Sequence, residues 1–298
     1  MSVMDISPRE VAVTRTPLRD FVGALRRQPL MALGLGIIVF VVLVAIFAPL
    51  IAPYPDDAGT ATHPVDALLP PGDGHLLGTD QLGRDVFSRV LYGARTSLLI
   101  VVGVLALSAL IGVPLGIIAG ATGGWVDDVI MRITDIFLSF PALLLALALA
   151  TVLTPNATNA AIAIAVTWWP WYARLARGSA AAVAGRGYVE AAKALGVSRT
   201  RVLARHVLPN ALPPTIVQLS LDAAGIMLTA AALSFLGLGA QDPTPEWGLM
   251  VSQGQGLLGT NWWVAVPAGV AIVLVAVGFN LLGDGLRTLL DPKAGRRR

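Results

Sequence analysis

The feature that most constrains this chain is a series of long apolar runs that contain no charged residue. The first, Leu30 to Ala52, extends over about 23 residues, and a helix needs about 20 to cross the hydrocarbon core of a bilayer. Only 13% of the residues are charged, whereas roughly 25% is typical of soluble domains. Because lipid offers backbone amides no water to bond, helices are the natural form of such segments. We therefore expect an all-α membrane protein.

The apolar runs predict six transmembrane helices. They are expected at Leu30 to Ala52, Thr96 to Gly120, Asp128 to Val152, Ala160 to Tyr172, Pro214 to Leu238 and Val264 to Gly283. The first run is longer than the roughly 7–15 apolar residues of a signal peptide, so we interpret it as an uncleaved membrane anchor.

Basic residues predict the orientation, because cytoplasmic loops of membrane proteins carry an excess of Lys and Arg. Of the 21 basic residues, five lie in Arg9 to Arg27, seven in Arg174 to Arg205 and five in Arg287 to Arg298. Six spans place all three segments on one side, so both termini are expected to be cytoplasmic. The chain is thus divided into a tail (1–29), the first helix (30–52), an external linker (53–94), a five-helix core (95–286) and a second tail (287–298).

A polar segment, VEAAKALGVSRTRVLARHVLPNALP (189–213), interrupts the apolar pattern between the fourth and fifth spans. Gly196 is expected to take the left-handed conformation that ends a helix. Ser198 fits the N-cap of a second helix, which is predicted to stop at Pro209. Small alanines at 191, 192 and 194 would let another surface approach closely. We interpret this hairpin as a docking element, with a solvated positive loop as the alternative.

Four stretches resemble one family of transport proteins. EAAKALG with the later HVLPN is similar to the EAA loop of binding-protein-dependent ABC importers. HLLGTDQLGRDVFSRVLYGARTSL (75–98), LSFLGLGAQDPTPEWG (233–248) and FNLLGDGLRTLLDP (279–292) resemble the C-type permease subunit of dipeptide, oligopeptide and nickel importers. The resemblance covers nearly the whole chain from about residue 20. It implies a type I ABC importer permease fold in the cytoplasmic (inner) membrane of a prokaryote.

The same resemblance implies how such a chain works. An EAA loop at about 185–212 would contact a cytoplasmic ATPase through Glu190, Ala191, Ala192 and Gly196. The expected partners are a homologous second permease, two ATP-binding subunits that hold ATP and Mg, and an extracytoplasmic substrate-binding protein. The expected cargo is a di- or oligopeptide, and a nickel chelate or a glutathione-like solute stays open as the alternative.

Other residues carry weaker signals. Alanine follows both lysines, Lys193 and Lys293, so no Walker A pattern and no ATP site are expected in this chain. Asp222, inside the fifth span, is expected either to line a translocation pathway or to anchor the helix bundle, and it keeps an ion-coupled secondary transporter open as an alternative. His63 and His75 lack a metal-ligand spacing, and no nucleophile–base cluster indicates an enzyme. A net charge of +3 is too small to argue for nucleic acid.

Overall fold

The computed structural model describes Gly23, residues 25–72 and residues 74–290, with only the backbone of Leu290. Helices dominate this part of the chain, and it contains no β-strand beyond two isolated bridges, so the expected all-helical architecture is confirmed. The helices are α1 (Pro29–Ile51), α2 (Val86–Thr122), α3 (Gly124–Leu138), α4 (Ala142–Val152), α5 (Ala157–Ala184), α6 (Gly187–Ala194), α7 (Arg199–Phe235), α8 (Trp247–Gly254) and α9 (Val266–Leu290).

The centre of the bundle is the pair α2 and α5, which pack with their backbones close together. Gly112, Gly116 and Gly120 recur every four residues and therefore lie on one face of α2. A Cβ atom placed on Gly116 would lie 2.1 Å from the carbonyl oxygen of Ala173 on α5, a distance that no real contact allows. Only glycine fits at this crossing, as in other helix pairs packed inside membranes through small residues.

Helix α1 is also held against α9 by close contacts at glycine residues. A Cβ atom on Gly34 would lie 2.7 Å from the carbonyl oxygen of Gly278, and one on Gly285 would lie 2.3 Å from Cγ of Met31. Met31 is buried although it lies near the start of α1. The N-terminal helix is therefore packed on the same bundle as the rest of the described chain.

Four helices are long and apolar enough to cross a membrane, namely α1, α2, α7 and α9. The predicted third span, Asp128 to Val152, is wrong as a single straight helix, because α3 and α4 meet at an angle of 85°. The break coincides with Pro141, which has no amide hydrogen and disfavours helical geometry at the residue before it. Counting the bent pair as one span gives five candidates. The predicted fourth run lies in α5, which is not among them, so six spans remain a prediction.

Two of the helices are longer than their apolar runs. Helix α2 begins at Val86, ahead of the predicted Thr96, and its first turn is capped by Asp85, whose carboxylate accepts from the Ser88 amide at 2.7 Å. The predicted stop at Pro209 is wrong, because α7 continues through it to Phe235. A π-helical turn at Leu203–Val207 precedes the proline and widens the helix where the ring would otherwise clash with a carbonyl group one turn back.

A cluster of charged side chains fixes the predicted external segment to the bundle. Arg84, 2% exposed, donates from Nε to Asp80 at 2.8 Å and lies 2.9 Å through Nη1 from Asp242. Arg89, 1% exposed, lies 3.5 Å from the same Asp80. Asp242 belongs to the loop that follows α7, so the cluster ties this loop to the start of α2. Part of the predicted external linker is therefore a packed cap.

Candidate functional site

The polar hairpin consists of α6, a glycine turn and the first turns of α7. Helix α6 ends in a Schellman motif, in which the Gly196 amide donates to the Lys193 carbonyl at 3.0 Å and the Val197 amide to the Ala192 carbonyl at 3.1 Å. Gly196 has φ +79°, so its predicted left-handed conformation is confirmed. Ser198 occupies the N-cap position of α7 as predicted, but its side chain makes no capping hydrogen bond.

Helix α6 is packed along one narrow side, and most of its remaining surface is open. Val189 is fully buried, in an apolar cluster with Val202 and Val207 of α7, and this contact holds the two arms of the hairpin together. Away from this contact Glu190 and Ala191 are exposed and Leu195 keeps 85% of its surface in solvent, while Ala192, one turn from Val189, is half-buried.

The open face carries a carboxylate and apolar surface without partners in the chain. Glu190 has no ion pair or side-chain hydrogen bond among the residues that the structure describes. Tyr188 is 46% exposed and lies edge-on to His206, with ring centroids 6.2 Å apart. Leu195 and Tyr188 thus place apolar surface in solvent beside a carboxylate that has no partner in the described part of the chain. We call this surface, formed by Tyr188, Glu190, Ala191, Ala192 and Leu195, the α6 face.

Asp222 lies elsewhere, on the α7 face that looks toward α5. Its Oδ1 accepts a hydrogen bond from Nε2 of Gln218 at 2.8 Å, one turn earlier on the same helix. Trp168 and Trp171 of α5 line the same cavity as Asp222, and the buried Tyr172 hydroxyl of α5 has no hydrogen-bond partner among the described residues. The α6 face and Asp222 are therefore two separate sites, joined by α7, which spans about 35 Å from Arg199 to Asp222 at 1.5 Å per residue.

Two ion pairs between α3 and α5 were not predicted from the sequence. Arg177 donates from Nε to both carboxylate oxygens of Asp127, at 3.0 and 3.2 Å, and Arg174 donates to Asp135. The partners are 50 and 39 residues apart along the chain, so no local spacing signals them. These pairs hold the bent α3–α4 unit against α5.

His63 and His75 each lie beside a carboxylate and are not grouped together. His63 Nε2 lies 3.0 Å from Asp57, and His75 Nδ1 lies 2.9 Å from Asp85. The described residues contain no group of three or more side chains placed to hold a metal ion. In this segment each of the two histidines is therefore fixed by one aspartate.

The fold resembles solved transporter structures, and the sequence matches two family models. The fold is similar to two inward-facing structures of the MetNI methionine ABC transporter. One has a TM-score of 0.56 at 19% identity and covers 68% of this chain and 97% of its own. The other has a TM-score of 0.57 at 20% identity and covers 69% of this chain and 98% of its own. Residues 112–296 match the family model of the binding-protein-dependent transport system inner membrane component. Residues 16–71 match the model of the N-terminal TM domain of oligopeptide transport permease C.

Full-length relatives agree with the family models. The dipeptide transport system permease protein DppC of Escherichia coli K12 is 46% identical over 288 residues, which are 94% of this chain and 95% of the relative. The DppC of Alkalihalophilus pseudofirmus is 42% identical over 286 residues, 96% of this chain and 93% of the relative. The protein described as "Probable D,D-dipeptide transport system permease protein DdpC" of Escherichia coli K12 is 48% identical over 285 residues, 96% of this chain and 95% of the relative. The chain therefore belongs to the family of inner-membrane components of binding-protein-dependent transport systems, a family of permease subunits of ABC importers.

Proposed function

We propose that this chain is one of two homologous permease subunits of an ATP-driven importer of dipeptides or short peptides, located in the inner membrane of a prokaryote. The relatives named above are dipeptide permeases, and they match the chain over nearly all of its length. Family membership implies an ATPase and a substrate-binding protein as partners. Each importer would contain two ATP-binding subunits, and these subunits would bind the ATP and Mg.

The single observation that carries the proposal is the α6 face. It is a rigidly ended helix that exposes Glu190, Ala191 and Leu195 while its other side is packed on α7. Such a face suits the groove of an ATPase, because alanines permit close approach and Glu190 offers a charge to a basic partner. Gly196 ends the helix at a fixed angle, so movement of the ATPase would be passed to α7.

Helix α7 is the element through which that movement would reach the membrane. It begins at Arg199, immediately after the hairpin turn, and continues past Asp222 to Phe235. A change in the position of the α6 face would therefore tilt or shift the same helix that borders the interior of the bundle. Coupling of this kind requires the ATPase to favour one arrangement of the permease over another.

The proposed topology has six spans with both termini and the α6 face in the cytoplasm. Three basic segments lie on one side only if α5 also crosses the membrane. Helix α5 has 28 residues and a largely buried face, which is long enough for a span. The external cap of α2 then lies on the opposite side, where a substrate-binding protein would arrive.

Single cysteines test the contact and the topology together, since the chain contains no cysteine of its own. Ala191→Cys on the α6 face should be protected from a membrane-impermeant maleimide in intact cells, whereas Leu76→Cys on the external segment, 66% exposed in the wild type, should react. A photo-crosslinker attached at residue 191 should capture the ATPase chain, and one attached at residue 76 should not. Reaction of Ala191→Cys from outside would overturn the topology, and failure of residue 191 to capture the ATPase would overturn the contact.

A further inference from the structure

A cavity of about 620 Å³ opens where α5, α7 and the start of α4 meet. Its lining includes Ala142, Trp168, Trp171, Arg174, Gln218 and Asp222. Cavities that hold small molecules are typically about 300–1,000 Å³, mostly apolar, with a few convergent polar groups. This cavity has the size and the composition of a site for a small solute.

Asp222 is the carboxyl group among the residues that line this cavity. The other charged residue in the lining, Arg174, is already paired with Asp135. Asp222 receives a hydrogen bond from the neutral amide of Gln218, and within the described part of the chain no Lys, Arg or His forms an ion pair with it. A carboxylate inside a membrane helix is costly unless it faces water, a partner or a cation.

The walls beside Asp222 are aromatic. Trp168 lies directly over Gly225, three residues after Asp222, since a Cβ atom on that glycine would be 3.3 Å from Cη2 of the indole. Trp171 is 54% exposed in the chain and lines the same cavity. Indole faces attract cations, and a carboxylate beside them adds charge and a hydrogen-bond acceptor.

We propose that Asp222, flanked by Trp168 and Trp171, forms a subsite for the protonated amino terminus of a peptide in transit. This inference rests on the proposed function, because it takes peptides as the cargo. Every unmodified peptide has an ammonium group at one end, whatever its side chains. A subsite for that group would hold peptides of different sequence in one orientation and would discriminate against solutes without a cationic end.

The experiment uses the assembled importer in lipid nanodiscs, without the substrate-binding protein, so that the permease cavity alone selects the ligand. The probe is a dipeptide with a photoreactive benzoylphenylalanine at its second position, with its amino terminus either free or acetylated. The wild type should capture the free-amine probe about tenfold more than the acetylated probe, as expected for loss of one charge-assisted contact. Asp222→Asn, which can still accept from Gln218, should remove this preference, and Asp222→Glu should retain most of it.

Ser220→Ala provides the matched control. Ser220 lies on the same helix, two residues from Asp222 and so on the opposite side, and its hydroxyl donates to its own helix. This variant should keep the wild-type preference.

Equal capture of the two probes by the wild type, or an unchanged preference in Asp222→Asn, would overturn the subsite and leave Asp222 as an anchor of the bundle. If Asp222→Asn fails to assemble, the comparison between wild type and Asp222→Glu decides the question. Peptide uptake by the wild-type importer is measured separately, so that loss of the peptide function and loss of the subsite are distinguishable.

Discussion

Gly196 gives the sharpest test of the hairpin. Its φ of +79° lies in the left-handed region, where residues with a Cβ atom are strained by about 1–2 kcal/mol. A Cβ atom on Gly196 would meet no atom within 4 Å, so Gly196→Leu adds backbone strain without a clash inside the chain. Helix α6 has only eight residues, and isolated helices of that length are marginal in water. The strain therefore falls on an element with little stability of its own.

A strain of 1–2 kcal/mol shifts the balance between the formed and the frayed end of α6 by roughly 5- to 30-fold. We expect ATP-driven dipeptide uptake by the assembled importer to fall by a similar factor in Gly196→Leu, while membrane insertion and basal ATP hydrolysis persist. Asparagine is tolerated in the left-handed conformation at this helix position, so Gly196→Asn should keep most of the uptake.

The two variants separate the turn from the bulk of the side chain. Normal uptake by a normally expressed Gly196→Leu protein would refute the coupling role of the turn. Equal loss in Gly196→Asn and Gly196→Leu would show that the ATPase needs empty space at this position and not a left-handed turn. Gly178→Leu, an exposed position on α5 with no atom within 4 Å of an added Cβ, controls for the effect of added apolar surface.

Two further predictions concern stability, both measured as the thermal unfolding midpoint in detergent. Gly116→Ala should destabilise the bundle by about 1–3 kcal/mol, because the new methyl group meets the rigid Ala173 carbonyl, whereas Gly103→Ala on an open face of α2 should have little effect. Arg84→Met should cost about 3 kcal/mol, since it removes the cation shared by two carboxylates, and the exposed Arg95→Met should leave the midpoint nearly unchanged. An unchanged midpoint in Gly116→Ala would contradict the close packing of α2 on α5, and one in Arg84→Met would contradict a structural role for the charge cluster.

The sequence predicted those parts of the fold that depend on interactions between residues close together along the chain. The apolar runs located helices because burial in lipid requires them, and Gly196 was predicted because one residue type dominates the left-handed end of a helix. The same signals misplaced the ends of α2 and α7. Val86 lies in a helix because Asp85 caps it locally and because Arg84 and Arg89 contact Asp242, which is distant along the chain.

Features that depend on tertiary packing were not predictable from one sequence. The predicted third span runs through Pro141 and the predicted hairpin helix stops at Pro209, but the chain bends by 85° at the first proline and continues as one helix through the second, where a π-helical turn accommodates the ring. The pairing of Arg174 with Asp135 joins helices that are distant along the chain. Asp222 was visible as a charge in an apolar run, but the cavity beside it is formed by α5, which the apolar pattern placed only roughly.

The most direct test of the central claim is uptake of a radiolabelled dipeptide by proteoliposomes that contain this chain, its partner permease and the two ATPase subunits. The binding protein is supplied outside and ATP inside. We predict uptake that requires ATP and the binding protein and that is lost when this chain is omitted or when it carries Gly196→Leu. Uptake by this chain alone, driven by an ion gradient and indifferent to ATP, would contradict the account.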